Sequence, residues 1–115
     1  MTPRRILFIV AHAPRRGALA AETLDEILIG AAFEQKISVL FTGDGVYQLL
    51  EHTDTDNIAR GYRALPTYDV NDVYVDKKSA QQRGISLDAL VLPVRPLSRR
   101  GIQTLVADND IVIPD

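Results

Sequence analysis

The sequence contains no cysteine, and this absence excludes several kinds of chemistry. A chain without thiols forms no disulfide, offers no thiolate to a metal ion and has no thiol nucleophile. Its two histidines are His12 and His52, so a histidine-based metal centre would take most of its ligands from carboxylates. Any chemistry of this chain alone would have to use carboxylate, hydroxyl or lysine side chains, and we expect no metal site.

Long apolar runs and a strong excess of one charge are missing as well. The longest wholly apolar run covers residues 6–11, whereas a membrane span needs about 18 residues. This run follows Arg4 and Arg5 but is too short for a secretory signal. The formal net charge of −2 argues against a dedicated nucleic-acid binder, because such proteins are usually basic. We therefore expect a cytoplasmic protein with no membrane segment and no direct nucleic-acid contact.

What the sequence does contain is a series of short apolar blocks separated by helical patterns. The blocks cover residues 6–11, 37–41, 73–75, 90–92 and 111–113. Such runs, rich in β-branched residues, are typical of strands buried on both faces of a parallel sheet. Helical patterns cover residues 18–33, 77–83 and 98–106, with two shorter helices expected near residues 45–50 and 58–62 and a loop at 53–56. The alternation predicts one domain over residues 1–115, a three-layer α/β/α sandwich with a mostly parallel five-stranded sheet.

Ligands of open α/β sheets bind beyond the carboxyl ends of the strands, so the loops there hold the candidate site residues. The loop at residues 11–17 has one glycine and matches neither a dinucleotide-binding loop nor a P-loop, so we expect no nucleotide cofactor. Asp76 directly follows the third predicted strand. His12 follows the first, where it is either a general base or a loop histidine that caps backbone groups. Asp44, between two glycines, either binds a cation or accepts backbone N–H bonds in a turn.

Basic residues gather at the same predicted edge of the sheet. Seven of the 13 lie at or just beyond the carboxyl ends of predicted strands 1, 3 and 4: Arg15, Arg16, Lys77, Lys78, Arg95, Arg99 and Arg100. Helix N-termini add partial positive charge there. Two interpretations stay open, a solvated loop rim or a surface that meets an anionic group. The candidate partner contacts are Arg15, Arg16, Asp76, Lys77 and Lys78.

Residues 44–50, with the sequence Asp-Gly-Val-Tyr-Gln-Leu-Leu, resemble the TusC/DsrF group of the DsrE-like sulfur-relay proteins. The resemblance extends to residues 27–33 and 39–41, to Tyr-Val-Asp at 74–76, and to the later Ser79 and Arg83-Gly84. The opening strand and residues 110–113 also match, so the resemblance covers nearly the whole chain. The resemblance implies a DsrE/DsrF-like fold, in agreement with the three-layer α/β/α sandwich predicted above.

The resemblance further implies the middle subunit of a heterohexamer, TusBCD or DsrEFH, with TusB/DsrH-like and TusD/DsrE-like sister subunits. Such a complex passes sulfur as a cysteine persulfide, towards the 2-thiouridine of a tRNA wobble base or within intracellular sulfur oxidation. Other sulfur-carrier proteins would then meet this chain only indirectly, through the complex.

In the TusD/DsrE-type sister subunit, the catalytic cysteine lies just after the third strand and ahead of an arginine-glycine pair. Counting back from Arg83-Gly84 places Asp76 at the corresponding position, where a carboxylate cannot accept sulfur. The resemblance therefore implies a non-catalytic, cysteine-free subunit without a cofactor, rather than an enzyme. The alternative is an independent α/β protein that binds a small molecule, or an enzyme that uses Asp76 or His12.

Overall fold

The computed structural model describes residues 3–14, 18–51 and 58–115. Strands and helices alternate along the chain in the order β1 (Arg5–Val10), α1 (Ala18–Ala32), β2 (Lys36–Phe41), α2 (Ile58–Arg63), β3 (Asp72–Asp76), α3 (Lys77–Gln82), β4 (Arg95–Leu97), α4 (Arg99–Ala107) and β5 (Ile111–Pro114). Short 3-10 helices cover Gly43–Leu49, Leu65–Tyr68 and Leu87–Ala89. Within the described ranges, no helix has the length and apolar character that crossing a membrane requires.

All five strands are parallel and form one sheet in the order β4-β3-β2-β1-β5. The crossovers from β1 to β4 all advance in the same direction across the sheet. Because such crossovers are right-handed, α1, α2 and α3 cover one face. The last crossover runs back past β1 to β5 and places α4 on the other face. This arrangement confirms the predicted α/β fold with a parallel five-stranded sheet.

The main core lies between the sheet and the first three helices. Alternate residues of the central strands face it, including Phe8, Val39 and Val75, and they pack with Ile27 of α1 and Tyr62 of α2. These positions alternate because successive side chains of a strand point to opposite faces. The continuous apolar runs thus supply one set of side chains to the core and a second set to the α4 face.

The fourth strand lies later in the chain than the apolar run at residues 90–92 predicts. That run is not a strand: Leu90 makes an isolated antiparallel bridge to Leu50, and its apolar side chains pack against the core instead. The strand is Arg95–Leu97, which pairs with β3 alone at the edge of the sheet. An edge position tolerates Pro96, which lacks a backbone N–H. Burial, rather than strand pairing, explains the apolar run.

This shift also corrects the place of Arg95. It begins β4 instead of following the fourth strand, and it pairs in register with Tyr74. Its guanidinium lies 5.8 Å from the centre of the Tyr74 ring, and its Nη1 lies 4.0 Å from Oδ1 of Asp72. Arg95 therefore does not belong to the basic residues at the carboxyl edge of the sheet.

The helix boundaries follow local signals in the sequence. Helix α3 ends just before Gly84, which has φ +63°, a left-handed conformation that glycine adopts without strain. Helix α4 begins after Ser98, whose Oγ accepts a hydrogen bond from the Gly101 N–H at 3.2 Å. These two signals set the end of α3 and the start of α4. The predicted loop at 53–56 lies outside the described residues.

Candidate functional site at the carboxyl edge of the sheet

Asp76 ends β3 and caps the N-terminus of α3. Its Oδ1 accepts a hydrogen bond from the Lys78 N–H at 3.1 Å. Its Oδ2 accepts hydrogen bonds from Thr42 Oγ1 at 3.0 Å and from Ser79 Oγ at 2.9 Å. The three donors come from the start of α3 and from the residue after β2. The carboxylate thus joins the ends of β2 and β3 to the start of α3. Because its oxygens already accept three hydrogen bonds, few of their lone pairs are left to bind a substrate.

Ser79 connects this cap to the turn after β2. Its side chain is buried, with the residue 6% exposed, and its Oγ accepts a hydrogen bond from the Gly43 N–H at 2.8 Å while donating to Asp76. A hydroxyl that is buried and engaged as both donor and acceptor is not positioned as a nucleophile. Ser79 therefore holds the turn at Gly43 against α3.

Asp44, the candidate cation ligand, is paired with an arginine. Oδ1 of Asp44 lies 2.9 Å from Nη2 and 3.0 Å from Nε of Arg83, and Nη1 of Arg83 donates to the carbonyl of Ser79. The pair is 39 positions apart in the sequence. Two segments that carry the sequence resemblance, Asp44-Gly45 and Arg83-Gly84, therefore meet in one hydrogen-bonded network with Asp76.

His12 has an orienting carboxylate that the sequence does not reveal. Oδ1 of Asp115 lies 3.0 Å from Nδ1 of His12, and the same carboxylate accepts hydrogen bonds from the Ala11 and His12 N–H groups. The Asp115 side chain is 3% exposed, whereas the His12 side chain is 58% exposed. Such a carboxylate fixes the ring and favours a proton on Nδ1. One sequence feature points to this contact, an acidic residue that follows the last strand. The contact itself depends on the pairing of β5 with β1, and these strands lie far apart in the sequence.

Two buried polar side chains lie near this pair. Nε2 of Gln48 donates to the carbonyl oxygen of His12 at 2.7 Å, and Gln48 is 2% exposed. Its Oε1 and the hydroxyl of Tyr62 have no hydrogen-bond partner within the described ranges. Burial, and secondarily the negative charge of Asp115, raise the pKa of Tyr62 well above its ordinary value. The hydroxyl is therefore neutral at physiological pH.

Four of the basic residues predicted for this edge lie at the first two positions of α3 and α4: Lys77, Lys78, Arg99 and Arg100. An open cleft of about 820 Å³ is lined by residues of both helices. Its lining comprises Asp76, Lys77, Lys78, Gln81, Ser98, Arg99, Ile102 and Gln103. Arg15 and Arg16, also predicted for this edge, lie outside the described residues. The structure thus brings Lys77, Lys78 and Asp76 together with Arg99 in one cleft.

Known proteins resemble this chain in sequence and in fold. The family model of the DsrE/DsrF-like family matches residues 4–114. The intracellular sulfur oxidation protein DsrF of Allochromatium vinosum is 41% identical over 93 residues, which cover 76% of this chain and 68% of that protein. Protein TusC of Buchnera aphidicola is 36% identical over 115 residues, covering 95% of this chain and 97% of that protein.

The comparison with solved structures concerns the fold alone. The crystal structure of the ychN protein from E. coli superposes with a TM-score of 0.83 at 19% sequence identity. The match covers 97% of this chain and 99% of the other. The fold therefore agrees with the family match over residues 4–114. The chain belongs to the DsrE/DsrF-like family.

Proposed function

We propose that this chain is a non-catalytic subunit of a sulfur-relay assembly in which cysteines of other subunits carry the sulfur. The observation that carries the proposal is the absence of any thiol from a chain of the family to which DsrF and TusC belong. Asp76 stands where the resemblance implies the catalytic cysteine of the sister subunit. Its oxygens accept three hydrogen bonds, so the position is used for stability in this chain.

The sulfur handled by this assembly has two candidate destinations. One similar protein is named for intracellular sulfur oxidation and another is named TusC, the group that the resemblance links to tRNA thiolation. The chain is more than 30% identical to both proteins, so we propose both sulfur oxidation and tRNA thiolation as candidate pathways. The name of the first relative describes an intracellular protein, which favours a cytoplasmic location for this chain. Genes for dissimilatory sulfite reductase beside this gene would favour sulfur oxidation.

The proposed partners are a TusD/DsrE-like and a TusB/DsrH-like sister subunit, which the test supplies by co-expression. We expect analytical ultracentrifugation to show a heterohexamer that contains all three chains, with the chain expressed alone as the control. A stable monomer that ignores both sisters would contradict the proposal. In the control, self-association of the chain through the same surface would require that surface to be self-complementary.

Partner capture by the assembly is the proposed role of Arg15, Arg16, Lys77 and Lys78. Positive charge at an interface acts mainly on the association rate, and its effect weakens as salt increases. Replacing Arg15 and Arg16 together with alanine should slow partner capture at low salt without dissociating the complex. Stopped-flow measurements across a salt series give the association rate. An unchanged association rate at low salt would mean that these residues only form a solvated loop rim.

An enzymatic role for His12 is the second candidate, because the buried Asp115 carboxylate orients its ring. If His12 acts as a base in sulfur transfer, His12→Gln should abolish that transfer. Glutamine keeps a polar side chain but cannot act as a base near neutral pH. If the chain is a non-catalytic subunit, sulfur transfer through an assembly that contains His12→Gln should proceed at the wild-type rate. A sulfur-transfer assay on the purified complex distinguishes the two candidates.

A further inference from the structure

We propose that the cleft between α3 and α4 binds a short acidic segment of a partner protein. The inference rests on the proposed function only in assuming that a partner exists. Its evidence is the charge, shape and chemical character of the cleft, and its test measures binding to this chain directly. The cleft of about 820 Å³ lies within the size range of sites that hold small ligands or short peptide segments.

The cleft carries unbalanced positive charge. Lys77, Lys78 and Arg99 line it, and none of them forms an ion pair with any residue in the ranges 3–14, 18–51 and 58–115. The acid in its lining is Asp76, whose oxygens already accept three hydrogen bonds. Elsewhere Arg63 and Arg83 are paired with carboxylates at 3.0 and 2.9 Å. A ligand with carboxylates would supply the negative charge that the cleft lacks.

The positions of these cations oppose local helix energetics. The first turn of a helix favours acidic residues, because the backbone N–H groups there carry partial positive charge. Helix α3 nevertheless begins with Lys77-Lys78 and helix α4 with Arg99-Arg100, and neither helix has an acidic residue in its first turn. Both helices thus place two cations in the first turn at one cleft, with the Asp76 carboxylate capping α3 and the Ser98 hydroxyl capping α4. Residues that break a local stability rule are expected where function requires them.

The lining fits a peptide better than a nucleic acid. Among the described residues that line it, none has an aromatic side chain on which a base could stack. Its amides, Gln81 and Gln103, can pair with peptide N–H and C=O groups, and Ile102 offers an apolar contact. The chain as a whole has a net charge of −2, so a long polyanion would meet repulsion beyond the cleft. These observations favour a short acidic protein segment.

The test is fluorescence anisotropy with a labelled peptide of alternating glutamate and leucine, titrated with the full-length chain. The variant is Lys77→Glu/Lys78→Glu, and the control is Arg4→Glu/Lys36→Glu, an equal change of charge at the opposite edge of the sheet, where both residues are exposed. We expect the variant to weaken binding by about tenfold or more and the control by less than about twofold. A glutamine-leucine peptide and a short oligouridylate should bind more weakly than the acidic peptide.

Three results would overturn the inference: no binding of the acidic peptide to the wild-type chain, equal losses in variant and control, or preferential binding of the oligouridylate. The variant should not lower the Tm, because glutamate is favoured in the first turn of α3. If it fails to fold, Arg99→Glu/Arg100→Glu makes the same change of charge at the start of α4 and is compared with the same control. Co-purification with the sister subunits is measured separately, so failure of the relay assignment is distinguishable from failure of this inference.

Discussion

At the end of β3, the side chain of Asp76 joins the residue after β2 to the first turn of α3. Replacing it with alanine removes the cap and leaves two partly buried hydroxyls, those of Thr42 and Ser79, without their acceptor. We expect Asp76→Ala to lower the free energy of unfolding by about 2–3 kcal/mol. Asp76→Asn should cost less, because asparagine also caps helices. Urea denaturation measures both.

The matched control for this change is Asp72→Asn at the other end of β3. Asp72 is exposed and lies 4.0 Å from Arg95, so its ion pair should contribute less than about 1 kcal/mol. If Asp76→Ala destabilises the chain no more than Asp72→Asn does, Asp76 is not the structural cap described here. Its carboxylate would then be free for another role.

Tyr62 is a buried side chain whose hydroxyl has no hydrogen-bond partner in the part of the chain that the structure describes. Removing an unsatisfied hydroxyl removes the cost of burying it, so Tyr62→Phe should leave stability at neutral pH unchanged or raise it by about 1 kcal/mol. Thermal unfolding measures this, with the exposed Tyr68→Phe as control. A large loss of stability would mean that the hydroxyl has a partner.

The same residue predicts a dependence of stability on pH. Burial and Asp115 raise the pKa of Tyr62 in the folded state, whereas in the unfolded chain the pKa is near 10. The folded state therefore keeps the proton after the unfolded state has lost it, and stability falls as the pH rises above about 10. Relative to wild type, Tyr62→Phe should lose less stability between pH 9 and pH 11 or so. Equal slopes would contradict the assigned pKa direction.

Among the elements, the 3-10 helix Gly43–Leu49 approaches β1 most closely at Gly45. A methyl group added there would overlap the carbonyl oxygen of Val10, a backbone atom that cannot move aside. We expect Gly45→Ala to cost about 3 kcal/mol or more. Gly84→Ala should cost only about 1 kcal/mol, since the space around Gly84 is open and only its φ of +63° disfavours alanine. Urea denaturation of both variants checks the order, and a smaller loss for Gly45→Ala would contradict it.

The elements also show why some predictions from sequence succeeded and one failed. The start of α4 follows from Ser98 and the end of α3 from Gly84 just beyond it, because caps and turns are determined by residues a few positions apart. The position of β4 depended on pairing with β3, which lies some twenty positions away in the sequence. An apolar run close by therefore predicts the strand at residues 90–92, although this run packs against the core.

At the scale of the whole molecule, composition alone predicts the response to a sulfur donor. With no thiol among 115 residues, the purified chain should take up no sulfur from a labelled persulfide donor under any redox condition. The cysteine-bearing sister subunit serves as the positive control. Label that survives denaturation of this chain and is released by thiol would contradict the prediction, and mass spectrometry would locate the residue that carries it.

The sequence by itself determined the fold class, the family resemblance and the absence of thiol chemistry, because these depend on composition and on patterns between neighbouring residues. Only the tertiary structure decided which distant side chains meet. The pairing of β5 with β1 brings Asp115 to His12 across 103 positions, and α3 packs against the turn after β2 so that Arg83 reaches Asp44. Lys77 and Arg99 line one cleft because α3 and α4 begin directly after two neighbouring strands, β3 and β4. Contacts of this kind follow from strand order and crossover direction, which no local pattern records.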